Sequence, residues 1–283
     1  MSTSSDTRPS PIAGVWYSGD PGTLAFEIDQ YIEDAHLPEL EGEVIAVISP
    51  HAGYRYSGRT AGYAFRAVRG LAPRIVAVVS PYHNYHTAAL LTSAHQAYKT
   101  PLGEVPVDQE SLKQFLQLLQ ARGMTSVKAL YQDREHSLEI ELPFLQRALA
   151  QPFSLLPVML RSRTAAQVEL VGKALADVLR GKPALMVAST DLSHFYPEDT
   201  ANALDHEIMH QMELFSPQGV LEIEEQGRGF ACGGAAVAAV LWAARELGAT
   251  QVRVVHHSTS GDETQDTTSV VGYGAAVVLK QVQ

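Results

Sequence analysis

At 283 residues, 46% hydrophobic and 18% charged, the chain is long enough to bury a sizeable core, and its composition is globular, neither disordered nor fibrous. A formal net charge of -10 repels phosphate backbones and anionic membrane surfaces, which excludes nucleic acid and membrane as main partners. The single cysteine, Cys232, leaves no intramolecular disulfide to form and points to a reducing compartment, the cytoplasm.

The N-terminus, MSTSSDTRPSPIAG, lacks the charged, apolar and small-residue order of a signal peptide. Residues 1–12, polar and broken by Pro9 and Pro11, read as a flexible arm ahead of a single domain over 13–283. Asp20 followed by Pro21 is a helix start, a capping carboxylate with proline at the first helical position. Four short β-branched runs follow along the chain: EVIAVIS (43–49), RIVAVVS (74–80), PALMVAST (183–190) and QVRVVHHS (251–258). They show little polar alternation, which is the pattern of strands covered on both faces. Helical stretches fall between them at 58–68, 108–123, 165–181 and 233–248, and the last three close on or just before a glycine, a common helix stop. The longest apolar stretch, 231–244, is bounded by Arg228 and Arg245 and is too short for the roughly 18 to 20 residues a bilayer span needs. This alternation predicts an α/β fold, a three-layer sandwich around a central, mostly parallel sheet.

Parallel strands deliver their carboxyl ends to one edge, where ligands bind. The exits read SPHAGY (49–54), SPYHNYH (80–86), STDLSH (189–194) and HHSTSGDETQD (256–266), each with histidine, aspartate or both. Pro50 ends the strand ladder and Gly53 frees the turn, so that His51 is presented at the edge, and His83 follows Pro81 by the same device. One histidine at a strand exit is more often structural than a ligand, but four polar exits from apolar strands favour a site. Two imidazoles and a carboxylate suit non-haem Fe(II), and also zinc or manganese. Asp191, Asp262 and Glu263 are the carboxylates within those exits.

Four further features leave alternatives open. Asp191 and His194 are spaced i, i+3; they share a face if a helical turn starts there, or Asp191 caps the helix near Pro197. His136 and Glu139, spaced alike in EHSLEIELPFL, belong either to a site or to a plain surface helix. His206-Glu207-x-x-His210 matches the zincin spacing, but its charged helix and parallel α/β context favour a partly exposed amphipathic helix. Cys232 precedes an apolar helix whose N-terminus could favour a thiolate; it is expected near the site without a catalytic role.

Taken in order, AGVWY (13–17), SPHAGYRYSG (49–58), SPYH (80–83), EHSLEIELPFL (135–145), STDLSH (189–194), ACGG (231–234) and SGDETQDTTSVVGYGA (260–275) resemble the MEMO family. Its microbial members are also called protein B of the AmmeMemoRadiSam system. The resemblance implies a fold like that of class III extradiol dioxygenases, with a divalent-metal site at the sheet edge. By that resemblance His51 and His83 bind the metal, Fe(II) being the expected ion, while Asp191 and His194 line the pocket as the catalytic pair, His194 as acid/base and Asp191 orienting that histidine or ligating the metal. Animal members carry a further cysteine ligand in the last loop; this chain reads SGDET there, and Asp262 is the expected third ligand. The implied partners are a small-molecule substrate or peptide and a radical-SAM protein. Three functions remain in play: a dioxygenase-like oxidoreductase, a metal-dependent hydrolase and a non-catalytic binding module.

Overall fold

The computed structural model describes residues 6–281. It begins with β1 (Thr7–Arg8) and α1 (Pro21–Asp34), the latter capped as expected by Asp20, whose Oδ1 accepts from the Thr23 N–H at 2.8 Å. β2 (Glu43–Ser49) leads through Gly53 into α2 (Tyr54–Arg66), and β3 (Ile75–Pro81) follows. Next come β4 (Leu90–Ser93), β5 (Ala97–Thr100), β6 (Gly103–Pro106) and α3 (Gln109–Ala121). β7 (Val127–Leu130), α4 (Glu141–Ala148), β8 (Ser154–Leu160) and α5 (Ala165–Leu179) continue the alternation. β9 (Ala184–Ser189) and β10 (His194–Tyr196) precede the helical run α6 (Glu198–Glu213), α7 (Pro217–Glu225) and α8 (Gly234–Glu246). The chain closes with β11 (Gln251–Thr259), the single turn α9 (Gly261–Thr264) and β12 (Val270–Lys280).

The main sheet runs β10-β12-β2-β9-β3-β8-β4-β7, with β11 paired to β12. At its centre β2, β9, β3 and β8 are parallel, and every residue of β3 is buried. Both flanks are antiparallel, β12 against β2 and β11 on one side and β4 against β8 on the other. The parallel character expected from the sequence therefore describes the middle of a mixed sheet. Helices α1, α2 and α4 pack together on one face, and α3, α5 and α8 on the other, giving three layers. Apolar burial holds the layers together, and one continuous core cluster reaches from Ile12 to Val278. α5 and α8 approach at Gly172, where a Cβ would stand 2.6 Å from the Ala239 carbonyl oxygen, so only glycine allows that close a contact.

The expected loose arm over 1–12 is corrected for its described part. β1 pairs in parallel with β5, placing Thr7 opposite Ala97 and Arg8 opposite Tyr98. Arg8 is only 1% exposed, because its guanidinium is neutralised by buried carboxylates of a segment over a hundred residues away. Polarity at 6–12 thus marks a buried ionic anchor, which composition alone cannot tell from a solvated arm.

Candidate metal centre

The four central strands deliver their exits to one edge. After β2, Pro50 ends the ladder and the chain turns at His51, a turn held by Asp191: its Oδ1 accepts the His51 N–H at 2.7 Å and the Ala52 N–H at 3.2 Å. After β3 the same role falls to Glu135, whose carboxylate accepts the His83 N–H at 2.6 Å. Each turn is therefore pinned by a buried carboxylate from another part of the chain, and each imidazole is aimed by its turn.

His51, His83 and His136 come together, with one ring nitrogen from each within 4.8 Å of the others. The rings of His83 and His136 are stacked at 4.7 Å, and His51 stands edge-on to both. Two of the rings are hydrogen-bonded at Nδ1, His51 to Ser189 Oγ at 2.9 Å and His83 to Glu135 Oε1 at 2.9 Å, while the His136 Nδ1 lies 3.3 Å from the same Glu135 oxygen in a charge contact. For His51 and His83 that bond fixes the tautomer and leaves Nε2 as the ligand nitrogen, the oxygen-backed imidazole found behind metal-ligating histidines. The three imidazoles could hold a divalent transition metal ion, and the donor set fits one.

Electrostatics agree with that geometry. Burial, together with the neighbouring rings, holds His51 well below the usual imidazole range and brings His136 down to about 4, so both are neutral, as ligands must be. Burial alone would raise Glu135; the hydrogen bond and charge from His83 outweigh it and keep the carboxylate well below its usual range. It remains an anion beneath two imidazoles.

His194, from β10, faces the same edge. Its Nδ1 donates to the Leu192 carbonyl at 2.8 Å, so Nε2 carries the lone pair, and burial lowers its pKa. Asp191 does not orient this histidine; the Leu192 carbonyl does. Cys232 Sγ lies 3.1 Å from His51 Nε2. Burial pushes its thiol up, with the nearby Asp191 adding to the shift, so in the metal-free protein the residue is a thiol. Above these groups opens a cleft of about 400 Å³ lined by His83, His194, Cys232 and Phe230.

Asp262 does not join the cluster, which corrects its expected place as third ligand. It sits in α9, where Oδ2 accepts the Thr259 N–H at 2.8 Å, and it lines a separate cavity with His256 and Tyr63. The physical reason is that β11 lies beyond β12, away from the central exits. His136 takes the position instead, which resolves one open alternative in favour of the site. Glu139, its i+3 neighbour, points to Arg8. The HExxH residues sit on α6 with His206 and His210 exposed and Glu207 paired to Arg228, and they form no metal cluster among the described residues.

Glu141 lies behind the site, with its Oε1 2.7 Å from Ser189 Oγ. Burial pushes its carboxyl up to about 8, so the folded state binds this proton while the unfolded state, near 4.5, has lost it. Stability therefore falls as pH rises from about 4.5 to 8. Glu141→Gln keeps a neutral side chain of the same shape. We expect it to be more stable than the parent by roughly 3 kcal/mol at neutral pH, with no gain below about pH 4. Urea unfolding of chelator-treated protein across this range checks it, and a gap independent of pH would refute it.

A three-layer α/β protein with a histidine-built centre at the carboxyl edge of its sheet is the class these features define. The sequence model for Memo-like protein matches residues 8–277, and the chain belongs to that family. It is 32% identical to a MEMO1 family protein of Nitrosopumilus maritimus, covering 95% of this chain and 98% of the relative. Another, from Methanosarcina barkeri, is 32% identical over 96% of this chain and 99% of its own. A third, from Methanopyrus kandleri, is 30% identical over 95% and 98%. The crystal structure of an uncharacterized Escherichia coli K12 protein shares the fold, with TM-score 0.54 and 15% identity over 82% of this chain and 99% of that one.

Proposed function

We propose that this Memo-like protein is a divalent-metal oxidoreductase of the dioxygenase-like kind, acting on a small oxygen-bearing substrate. His51, His83 and His136 would hold the metal; iron(II) is the ion the family resemblance implies, and a three-imidazole set with an open position also suits zinc or manganese. What most supports the reading is the convergence of one ring nitrogen from each of His51, His83 and His136 to within 4.8 Å of one another, with His51 and His136 held neutral. When bound, iron(II) supplies redox chemistry and open positions for a substrate oxygen. His194 Nε2, an acceptor by its bond to Leu192, takes the proton of a substrate hydroxyl. Asp191 holds the His51 turn and acts as a positioning residue. A cytoplasmic location, where Fe(II) and a lone thiol stay reduced, and a radical-SAM partner protein belong to the same proposal. No helix among the described residues is long and apolar enough to cross a membrane.

Anaerobic purification followed by metal analysis tests it, comparing the parent with the His51→Ala, His83→Ala double variant. Near-stoichiometric iron in the parent, lost in the variant, and substrate-dependent O2 uptake are expected. Metal in neither protein after supplementation would sink the reading, and metal with anaerobic hydrolysis would move it to a hydrolase.

One observation favours a second reading, a peptide-binding module. A cavity of about 500 Å³ beside the centre is lined by Trp16, Tyr56, Phe195 and Tyr273; Phe195 is 74% exposed and held at φ 64°. An exposed aromatic in a sterically uncommon backbone conformation is a candidate contact residue. Partner binding that survives loss of His51 and His83 would favour this reading.

A further inference from the structure

The chain carries 31 acidic residues against 21 basic ones, yet the cleft that opens at His83 and His194 has no Asp or Glu among its lining residues and has two arginines, Arg161 and Arg163. They differ in availability. Arg163 is paired to Glu224. Arg161 has no carboxylate within 4.0 Å among the described residues; its guanidinium donates to the Asn84 carbonyl and stands 5.6 Å from the Tyr85 ring centroid. Its place follows from topology. It is the first residue after β8, which lies in parallel register beside β3, so it emerges at the same edge as His83. The backbone is fixed there by the Arg161 N–H bonding to the Ala89 carbonyl at 3.0 Å.

A guanidinium held by a neutral carbonyl and an aromatic ring keeps its remaining N–H donors and its full charge for a ligand. In a walled cleft that charge acts more strongly than it would at the open surface. Phe230 and Leu160 line the same cleft and offer apolar cover for the body of a small molecule.

We infer that the substrate is a small organic anion, its carboxylate or phosphoryl group on Arg161 and its metal-binding oxygen towards the three histidines. The inference rests on the metal reading above and adds the substrate class to it. An anionic end is the group that a free guanidinium selects, because planar N–H pairs match the spacing of carboxylate and phosphate oxygens. It also explains a cleft without carboxylates in a protein whose surface is otherwise acidic, since a carboxylate there would repel such a ligand.

The probes are hydroxamic acids of graded chain length ending in a carboxylate, a phosphonate or a neutral primary amide, titrated calorimetrically into zinc-loaded protein. The hydroxamate end reads the metal and the far end reads Arg161. At the best length an anionic end is expected to bind at least about tenfold tighter than the amide. In Arg161→Ala that preference falls within about twofold while metal content stays at the parent level. The better of carboxylate and phosphonate identifies the anion. Amide binding with no anionic preference at any length overturns the inference and leaves the metal site standing. Absence of binding by any hydroxamate, or unchanged binding in the His51→Ala, His83→Ala variant, overturns the metal reading and this inference together.

Discussion

His136→Ala is expected to lower metal affinity by at least about 100-fold, because it removes a direct nitrogen where loss of an outer partner alone costs 10 to 100-fold. Asp262→Ala is expected to stay within about twofold of the parent. Equilibrium competition against a chromophoric chelator reads both. The contrast follows from placement: His136 offers a nitrogen within 4.8 Å of those of His51 and His83, whereas the Asp262 carboxylate is engaged with the Thr259 N–H in a different cavity. The His136 ring is packed as well as aimed, 4.1 Å from the Trp16 ring and 4.7 Å from that of His83. Far-UV circular dichroism and a melting curve of the variant separate lost ligation from lost packing. Tight binding retained by a folded His136→Ala would overturn the three-histidine set and pass the third position to Cys232, whose Sγ lies 3.1 Å from His51 Nε2.

Much of this centre is legible in the chain, and the parts that are not are hidden for separate physical reasons. β2, β3 and β9 are apolar runs ended by proline or a polar exit, so His51, His83, Asp191 and His194 are found by local pattern alone. β8 escapes because Pro157 interrupts it, and proline inside a run argues against a central strand; with it goes Arg161, the exit it carries. β12 escapes because of Gly272 and Gly274, which weaken a strand pattern. The structure gives the reason for Gly272: a Cβ there would fall 1.8 Å from Asp205 Oδ2, so the glycine is the space α6 needs. His136 is visible as one half of an i, i+3 pair, but nothing local says that its segment folds back over β3. Such pairings are set by long-range ion pairs and burial, which have no period to read. The last loop fails for a different reason. SGDET matches a family block in order, but order does not fix which of its side chains reaches the centre.

Arg8→Ala is expected to cost about 3 to 5 kcal/mol of stability and to loosen the metal centre at the same time. Arg8 forks onto Asp133, with Nε to Oδ2 at 3.0 Å and Nη2 to Oδ1 at 2.9 Å. It also donates to Glu139 and, at 2.7 Å, to the Glu135 carbonyl. All three ionic side chains are at most 2% exposed. Their mutual attraction roughly offsets the cost of burying them, so the intact cluster adds little net stability. Removing the one cation is another matter, because two carboxylates are left buried without a counter-charge. Burial already raises the Glu139 pKa even with Arg8 opposing it, so in Arg8→Ala that carboxyl is pushed further towards its protonated form. Stability of the variant should then fall more steeply with rising pH than that of the parent. Asp133 also accepts the Glu135 N–H at 3.0 Å, and Glu135 is the carboxylate under His83 and His136, so the disturbance reaches the ligands through the backbone. Arg8→Lys should recover part of the loss, since it restores charge without the fork. Denaturant unfolding with and without metal distinguishes the outcomes. A loss below about 1 kcal/mol, with metal affinity unchanged, would show that the 133–139 segment is held by its apolar packing rather than by this anchor.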